Sequence, residues 1–156
     1  MKRLIITFII LFANIVANSQ LEKQMRFIDS ICNKIDSIRF YRMIIQTDDF
    51  SDKSYSTSYS YDTITKKLFK VGFSISDSSQ LKTSFYFKDD QLIKVISSEK
   101  ISGRLLKSKA YYYNGKIIFL APKPVDGNNL EKDGLQKKAE YYLQQFYTVL
   151  IKDLRQ

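Results

Sequence analysis

Apolar residues recur every three or four positions early in the chain, every second position through its middle, and every three or four again near its end. Leu21, Met25, Ile28, Cys32, Ile35 and Ile38 make the first stripe, with Glu22, Arg26, Asp29, Asn33 and Ser37 on the opposite side. That spacing predicts an amphipathic helix from Leu21 to about Arg39. From about Phe40 to Ala121 the period shortens to two, the mark of strands. Phe69, Val71, Phe73 and Ile75 alternate with Leu68, Lys70, Gly72 and Ser74, and Leu81, Thr83, Phe85 and Phe87 alternate with Lys82, Ser84, Tyr86 and Lys88. The pattern predicts a sheet with one buried and one wetted face.

Three hairpins punctuate this region. Tyr59 to Tyr61 leads through Asp62–Thr65 into Lys67–Val71; Phe85 to Phe87 leads through Lys88–Asp90 into Leu92–Val95; Tyr111 to Tyr113 leads through Asn114-Gly115 into Ile117–Phe119. Asn-Gly is a strong signal because both residues tolerate the positive φ angles of a type I′ turn. Tyr61, Phe87 and Tyr113 each close an aromatic-x-aromatic triplet and lie 26 residues apart, a weak internal repeat one hairpin long. A loop with two prolines and Asp126-Gly127 is expected from Pro122 to Asn129. A second amphipathic helix follows from Glu131 to Leu154, with Leu135, Ala139, Leu143, Phe146, Tyr147, Leu150 and Leu154 on one face and Tyr141 opposite. Gly134 weakens its first turns. The expected fold is α+β: an N-terminal helix, an antiparallel meander of six or seven strands, and a C-terminal helix, with both helices on one sheet face.

The first 19 residues have a different pattern. Lys2 and Arg3 precede an apolar run from Leu4 to Ala17 broken only by Thr7 and Asn14, and Ala17 and Ser19 place small side chains before a cleavage point. This is the order of a secretory signal peptide. It is shorter than the roughly 20 apolar residues of a membrane span, and no cysteine ends the run to carry a lipid. The mature chain is therefore expected to begin at Gln20 and to form a single domain over residues 20–156, periplasmic or secreted, with no transmembrane span.

Removing Lys2 and Arg3 leaves 25 − 2 = 23 basic residues against 16 acidic, a net charge of +7. Most of the lysines are scattered, as on an ordinary solvated surface, yet the excess suits an anionic partner. The single cysteine, Cys32, allows no intrachain disulfide and falls within the first apolar stripe, where an inert buried thiol is expected. The chain has no histidine. That removes Ser-His-Asp and Cys-His nucleophile systems and the usual zinc ligand sets. No phosphate loop, nucleophile elbow or calcium loop is present. Asp48-Asp49 and Asp89-Asp90 are the paired carboxylates. Neighbours on a strand point to opposite faces, and Asp89-Asp90 reads as turn chemistry. No cofactor or metal is expected.

Tyr55, Thr57, Tyr59 and Tyr61 alternate with Ser54, Ser56, Ser58 and Ser60, giving one ring face and one hydroxyl face. Such a row serves either as core or as a platform for sugars or a protein partner. With Tyr86 and Tyr112 on nearby strands and Lys70, Lys82 and Lys94 among them, these residues make a candidate aromatic-basic binding surface. Acidic protein or anionic envelope glycan is its expected partner, and nucleic acid is not.

The Tyr111–Lys116 stretch, Tyr-Tyr-Tyr-Asn-Gly-Lys, resembles single repeats of bacterial hairpin-repeat proteins over those six residues, without their regular glycines elsewhere. The helix–meander–helix order is similar to small periplasmic inhibitor-like and cone-shaped ligand-binding folds, a likeness of fold alone. The function these features favour is a non-catalytic exported binding module contacting a protein or envelope glycan. The alternatives are a small-ligand carrier or carboxylate-dependent enzyme, with a pocket between helices and curved sheet, and a structural part of an envelope assembly.

Overall fold

The computed structural model describes residues 2–38, 42–50, 53–76, 80–121 and 132–153. Helix α1 (Lys2–Ser37) is followed by strands β1 (Arg42–Phe50), β2 (Lys53–Tyr61), β3 (Leu68–Ser76), β4 (Lys82–Lys88), β5 (Gln91–Ile101), β6 (Arg104–Tyr113) and β7 (Lys116–Ala121), and then by helix α2 (Lys132–Asp153). The strands form one antiparallel meander in sequence order. The α+β class and the element order are as expected. The helical backbone runs unbroken past Ser19. Among the described residues, no helix is long and apolar enough to cross a membrane. The loop expected at Pro122–Asn129 lies outside the described residues, as do Arg39, Leu154 and the side chain of Leu150.

Local chemistry sets the turns. Asp89-Asp90, Ser102-Gly103 and Asn114-Gly115 are two-residue connections in which all six residues have positive φ. This backbone matches the right-handed twist of the flanking strands, and Asp and Asn tolerate it better than most residues. The longer β2–β3 turn is held by the Asp62 carboxylate, which accepts the Ile64 and Thr65 backbone N–H groups at 2.8 and 2.6 Å.

The β2–β3, β4–β5 and β6–β7 hairpins each carry one extra residue, whereas β5–β6 pairs without a break. Ser60 faces Lys70 while Tyr61 faces Leu68; Tyr86 faces Lys94 while Phe87 faces Leu92; Tyr111 faces Phe119 while Tyr112 faces Ile117. The extra residues are Phe69, Ile93 and Ile118, and each lies on the same side of the sheet as the residue after it. A bulge of this kind kinks the strand and resets the alternation. The register also corrects the repeat. Tyr61, Phe87 and Tyr112 occupy equivalent places, so the second interval is one residue shorter than the Tyr113 alignment implied.

The helices cover opposite faces, which corrects the expectation that they share one. Under α2 lies a row that crosses all seven strands: Ile44, Tyr59, Val71, Phe85, Val95, Ala110 and Leu120. Tyr61, Leu68, Phe87 and Tyr112 extend it, and Leu135, Ala139 and Phe146 close it from the helix. On the other face, Ile28, Cys32 and Ile35 of α1 pack on Phe69, Tyr86, Ile93, Tyr111, Ile118 and Phe119. The physical reason is in the contiguous triplets. Phe85 and Phe87 point to α2 while Tyr86 points to α1, and Tyr112 points to α2 while Tyr111 points to α1. Burial on both faces removes the wetted face that alternation implied.

Candidate functional site

Three features carry polar chemistry: a ladder under α1, a cleft beside α2, and an arm at the far end of β5 and β6. The ladder comes from the register. Ser60, Lys70, Tyr86, Lys94, Tyr111 and Phe119 lie side by side on the α1 face of six successive strands. Asp36 accepts hydrogen bonds from Lys70 Nζ at 2.7 Å and from the Tyr86 hydroxyl at 2.9 Å. Asp29 accepts from Lys94 Nζ at 2.6 Å and from the Tyr111 hydroxyl at 2.9 Å. Each ammonium also lies over the ring of its tyrosine, at 4.8 Å for Lys70 and 5.0 Å for Lys94, within cation–π range. The result is one Asp–Lys–Tyr clamp built twice.

The clamps share a simple geometry. Asp29 and Asp36 are seven residues apart, about 10.5 Å along a helix. Their partners are displaced by two strands, about 9.6 Å. The distances match if α1 runs across the strands. Burial works against both lysine charges, but the carboxylate bonds and the negative groups nearby outweigh it and hold both pKa values above the ordinary lysine value. Burial and the Asp bonds raise Tyr86 and Tyr111, against the pull of the adjacent lysines. Between the clamps, burial pushes the Cys32 thiol up to about 12, and the thiol stays protonated.

The candidate binding residues are thus dispersed. Lys70, Tyr86 and Lys94 gather under α1, where their polar ends are engaged by Asp29 and Asp36. Tyr59, Tyr61 and Tyr112 are core residues on the α2 face, each about 1% exposed or less. Tyr59 stacks on Phe146 at 6.0 Å, and Tyr61 meets the same ring at 5.2 Å. These six form no outer aromatic-basic surface, a correction that follows from coverage of both faces. Tyr55 is half-buried on the α2 side, opposite Asp48 and Ile75, and Lys82 is exposed on the α1 side beside Ser74 and Ser98. Asp89 pairs with Lys67 at 2.7 Å, and Asp90 accepts the Tyr147 hydroxyl at 2.6 Å. Asp29 is the residue that sequence patterning misplaced. The helical spacing puts it on the side opposite the apolar stripe, yet it faces the sheet.

The cleft, about 280 Å³, lies where the β4–β5 and β6–β7 turns meet α2. Asp90, Gln91, Asn114, Gln136 and Glu140 supply its polar wall, and Phe87, Leu92, Tyr112 and Leu143 its apolar floor. The Tyr112 hydroxyl is buried without a hydrogen-bond partner, and burial raises its pKa to about 12.

The arm is the end of the β5–β6 hairpin. Pairing with β4 stops at Ser98, and pairing with β7 stops at Lys109. Beyond these points, among the described residues, the two strands pair only with each other, to the Ser102-Gly103 turn. Ile101, Leu105 and Leu106 are exposed at 47%, 58% and 54%, among Lys100, Arg104, Lys107 and Lys109. Sequence reading passed over this hairpin, although Ser-Gly is a turn dipeptide.

Among the described residues, no group of three metal-ligating side chains is placed to hold an ion. Comparisons with protein families, with characterised proteins and with solved structures find no match.

Proposed function

We propose that this chain is an exported, non-catalytic binding module that meets an anionic partner, an acidic protein or an envelope glycan, through the β5–β6 arm. The observation that carries the reading is the arm itself. It projects past its neighbouring strands with three exposed large aliphatic side chains. Between Glu99 and Lys109 it holds four basic residues against one acidic. Apolar anchors ringed by one sign of charge are the ordinary means of fixing and steering a charged partner. Export rests on the order of charge, apolar run and small residues over positions 1–19.

Binding of the mature protein to immobilised polygalacturonate tests the arm for the glycan class. Affinity is expected to fall with salt and to drop by more than about tenfold in an Arg104→Glu/Lys107→Glu double variant, the size of effect expected when two attractive charges become repulsive. Equal affinity of the variant would remove the arm from the contact. Mass spectrometry of the exported protein tests the other half: a chain starting at Gln20 is expected, and a mass retaining residues 1–19 would contradict export by cleavage.

A further inference from the structure

We propose that the cleft between α2 and the β4–β5 and β6–β7 turns binds a small organic cation, an amine carried on a short hydrocarbon body. The site lies at the opposite end of β5 and β6 from the arm, about ten residues or 33 Å of strand away, and does not depend on it.

Charge gives the first argument. The chain is strongly basic, yet the charged side chains lining this cleft are Asp90 and Glu140, with no lysine or arginine among them. Amide groups from Gln91, Asn114 and Gln136 complete the polar wall. A carboxylate-lined recess with no basic partner in its lining favours a cation and repels an anion. Asp90 already accepts the Tyr147 hydroxyl, and Glu140 accepts an amide N–H from Gln136 at 3.2 Å. An ionised carboxylate has further lone pairs to offer.

The second argument is independent of charge. Tyr112 is 1% exposed and its hydroxyl has no partner, although buried polar groups are nearly always paired. It lines this cleft. A rotation of its side chain toward the cleft would let its oxygen accept a hydrogen bond from an ammonium N–H and relieve the orphaned group on binding. Phe87 and Tyr112 supply ring surface, and Leu92 and Leu143 supply contact for methylenes. The volume is near the lower end of small-molecule sites, which run from about 300 to 1,000 Å³, so the ligand is of diamine size rather than oligomeric.

The test uses the mature protein, labelled with nitrogen-15 for NMR, and three probes of equal length: 1,5-diaminopentane, 1,5-pentanediol and glutarate. The diamine should give saturable shifts at Asn114, Gly115, Gln136 and Glu140. The diol should bind about tenfold more weakly or worse, and glutarate should not saturate, because each replaces the cationic donors the site requires. Saturation by glutarate, equal affinity for the diol, or absence of saturable diamine shifts would overturn the proposal. A lysine-containing tripeptide separates two sources of the same chemistry: tighter binding of the peptide assigns the site to a lysine side chain of a partner, and tighter binding of the diamine to a free amine.

Variants distinguish this role from a structural one. Glu140→Gln should weaken the diamine about fivefold or more, as loss of a charged hydrogen-bond partner does. Tyr112→Phe should weaken it while leaving the melting temperature of the free protein unchanged or higher, since an unpaired buried hydroxyl is removed. Among the described residues, Tyr61 carries the other orphaned hydroxyl, and it is absent from the cleft lining. Tyr61→Phe should therefore alter melting in the same sense and leave diamine affinity unchanged. Unchanged diamine affinity in both Glu140→Gln and Tyr112→Phe would contradict the proposal. Arg104→Glu/Lys107→Glu, in the arm, should not change diamine binding, so failure of the arm reading and failure of this one are separable.

Discussion

The two faces of the sheet are covered by helices of similar amphipathic pattern, but they are held in different ways. The α2 face is a continuous aromatic and aliphatic layer, centred on Tyr59, Tyr61, Phe85, Phe87 and Phe146. The α1 face has a narrower apolar strip, Ile28, Cys32 and Ile35, with a carboxylate–ammonium–phenol clamp formed by Asp29 beside it and another by Asp36. Apolar packing is non-directional and scales with area. Charge-assisted hydrogen bonds are directional. The contrast teaches that α2 supplies most of the cohesion, while α1 gains its register from two polar contacts spaced to match two strands.

The largest effect is expected where packing dominates. Phe146 is fully buried and touches Tyr59, Tyr61 and Tyr147. Phe146→Ala should cost about 3–5 kcal/mol in urea unfolding. A cost below about 1 kcal/mol, small for a buried core site, would mean that α2 is an appendage. Asp29→Ala should come next, at about 2 kcal/mol, as it removes a charged hydrogen-bond partner from the nearly buried Lys94. Asp36→Ala should cost less, about 1 kcal/mol, because Lys70 keeps more solvent. The reverse order would break the assignment of the clamps.

Alkaline pH sharpens the same comparison. Cys32, Tyr59, Tyr112, Tyr142 and Tyr147 have pKa values raised to about 12, chiefly by burial. Lys70 and Lys94 are raised by their carboxylates against burial. In each case the unfolded chain loses the proton first. Stability is complete below the unfolded values of 9.0 for the thiol, 10.0 for tyrosine and 10.5 for lysine, and is lost as pH rises through the folded ones. On the acid side, Asp62 and Asp89 are lowered by hydrogen bonds, from the Thr65 backbone and from Lys67, but both sit in solvent-accessible turns. Unfolding free energy should therefore fall more steeply between about pH 9 and 12 than between pH 5 and 3. A symmetric profile would contradict the burial of these groups. The smallest effect is expected at Tyr141, exposed on the far side of α2. Tyr141→Ala should stay within about 0.5 kcal/mol, well below Phe146→Ala.

Much of this architecture was legible in the residues. The stripe of Ile28, Cys32 and Ile35 does face the sheet, Leu135, Ala139 and Phe146 do face the core, and Asn114-Gly115 does make a tight turn. The division of the helices between two faces was not read. Period-two alternation assumes an unbroken register, and the bulges at Phe69, Ile93 and Ile118 each put two successive residues on one side. The contrary signal was the run of aromatic residues at 85–87 and 111–113, since a contiguous apolar strand is one buried on both faces. Asp29 was missed because a polar residue beside an apolar stripe defaults to solvent. The matching seven-residue step to Asp36, against lysines on strands two apart, becomes meaningful only once the register is known.

Helix α1 is seated by the clamps and not by its apolar strip alone. A double-mutant cycle on Asp29→Asn and Lys94→Met, read by urea unfolding, tests it most directly. A coupling energy of about 1.5–3 kcal/mol is expected, the range for a hydrogen bond to a charged group, with the double variant less damaged than the sum of the singles. A coupling within about 0.3 kcal/mol of zero, the mark of independent sites, would show that Asp29 and Lys94 meet without holding the helix in place.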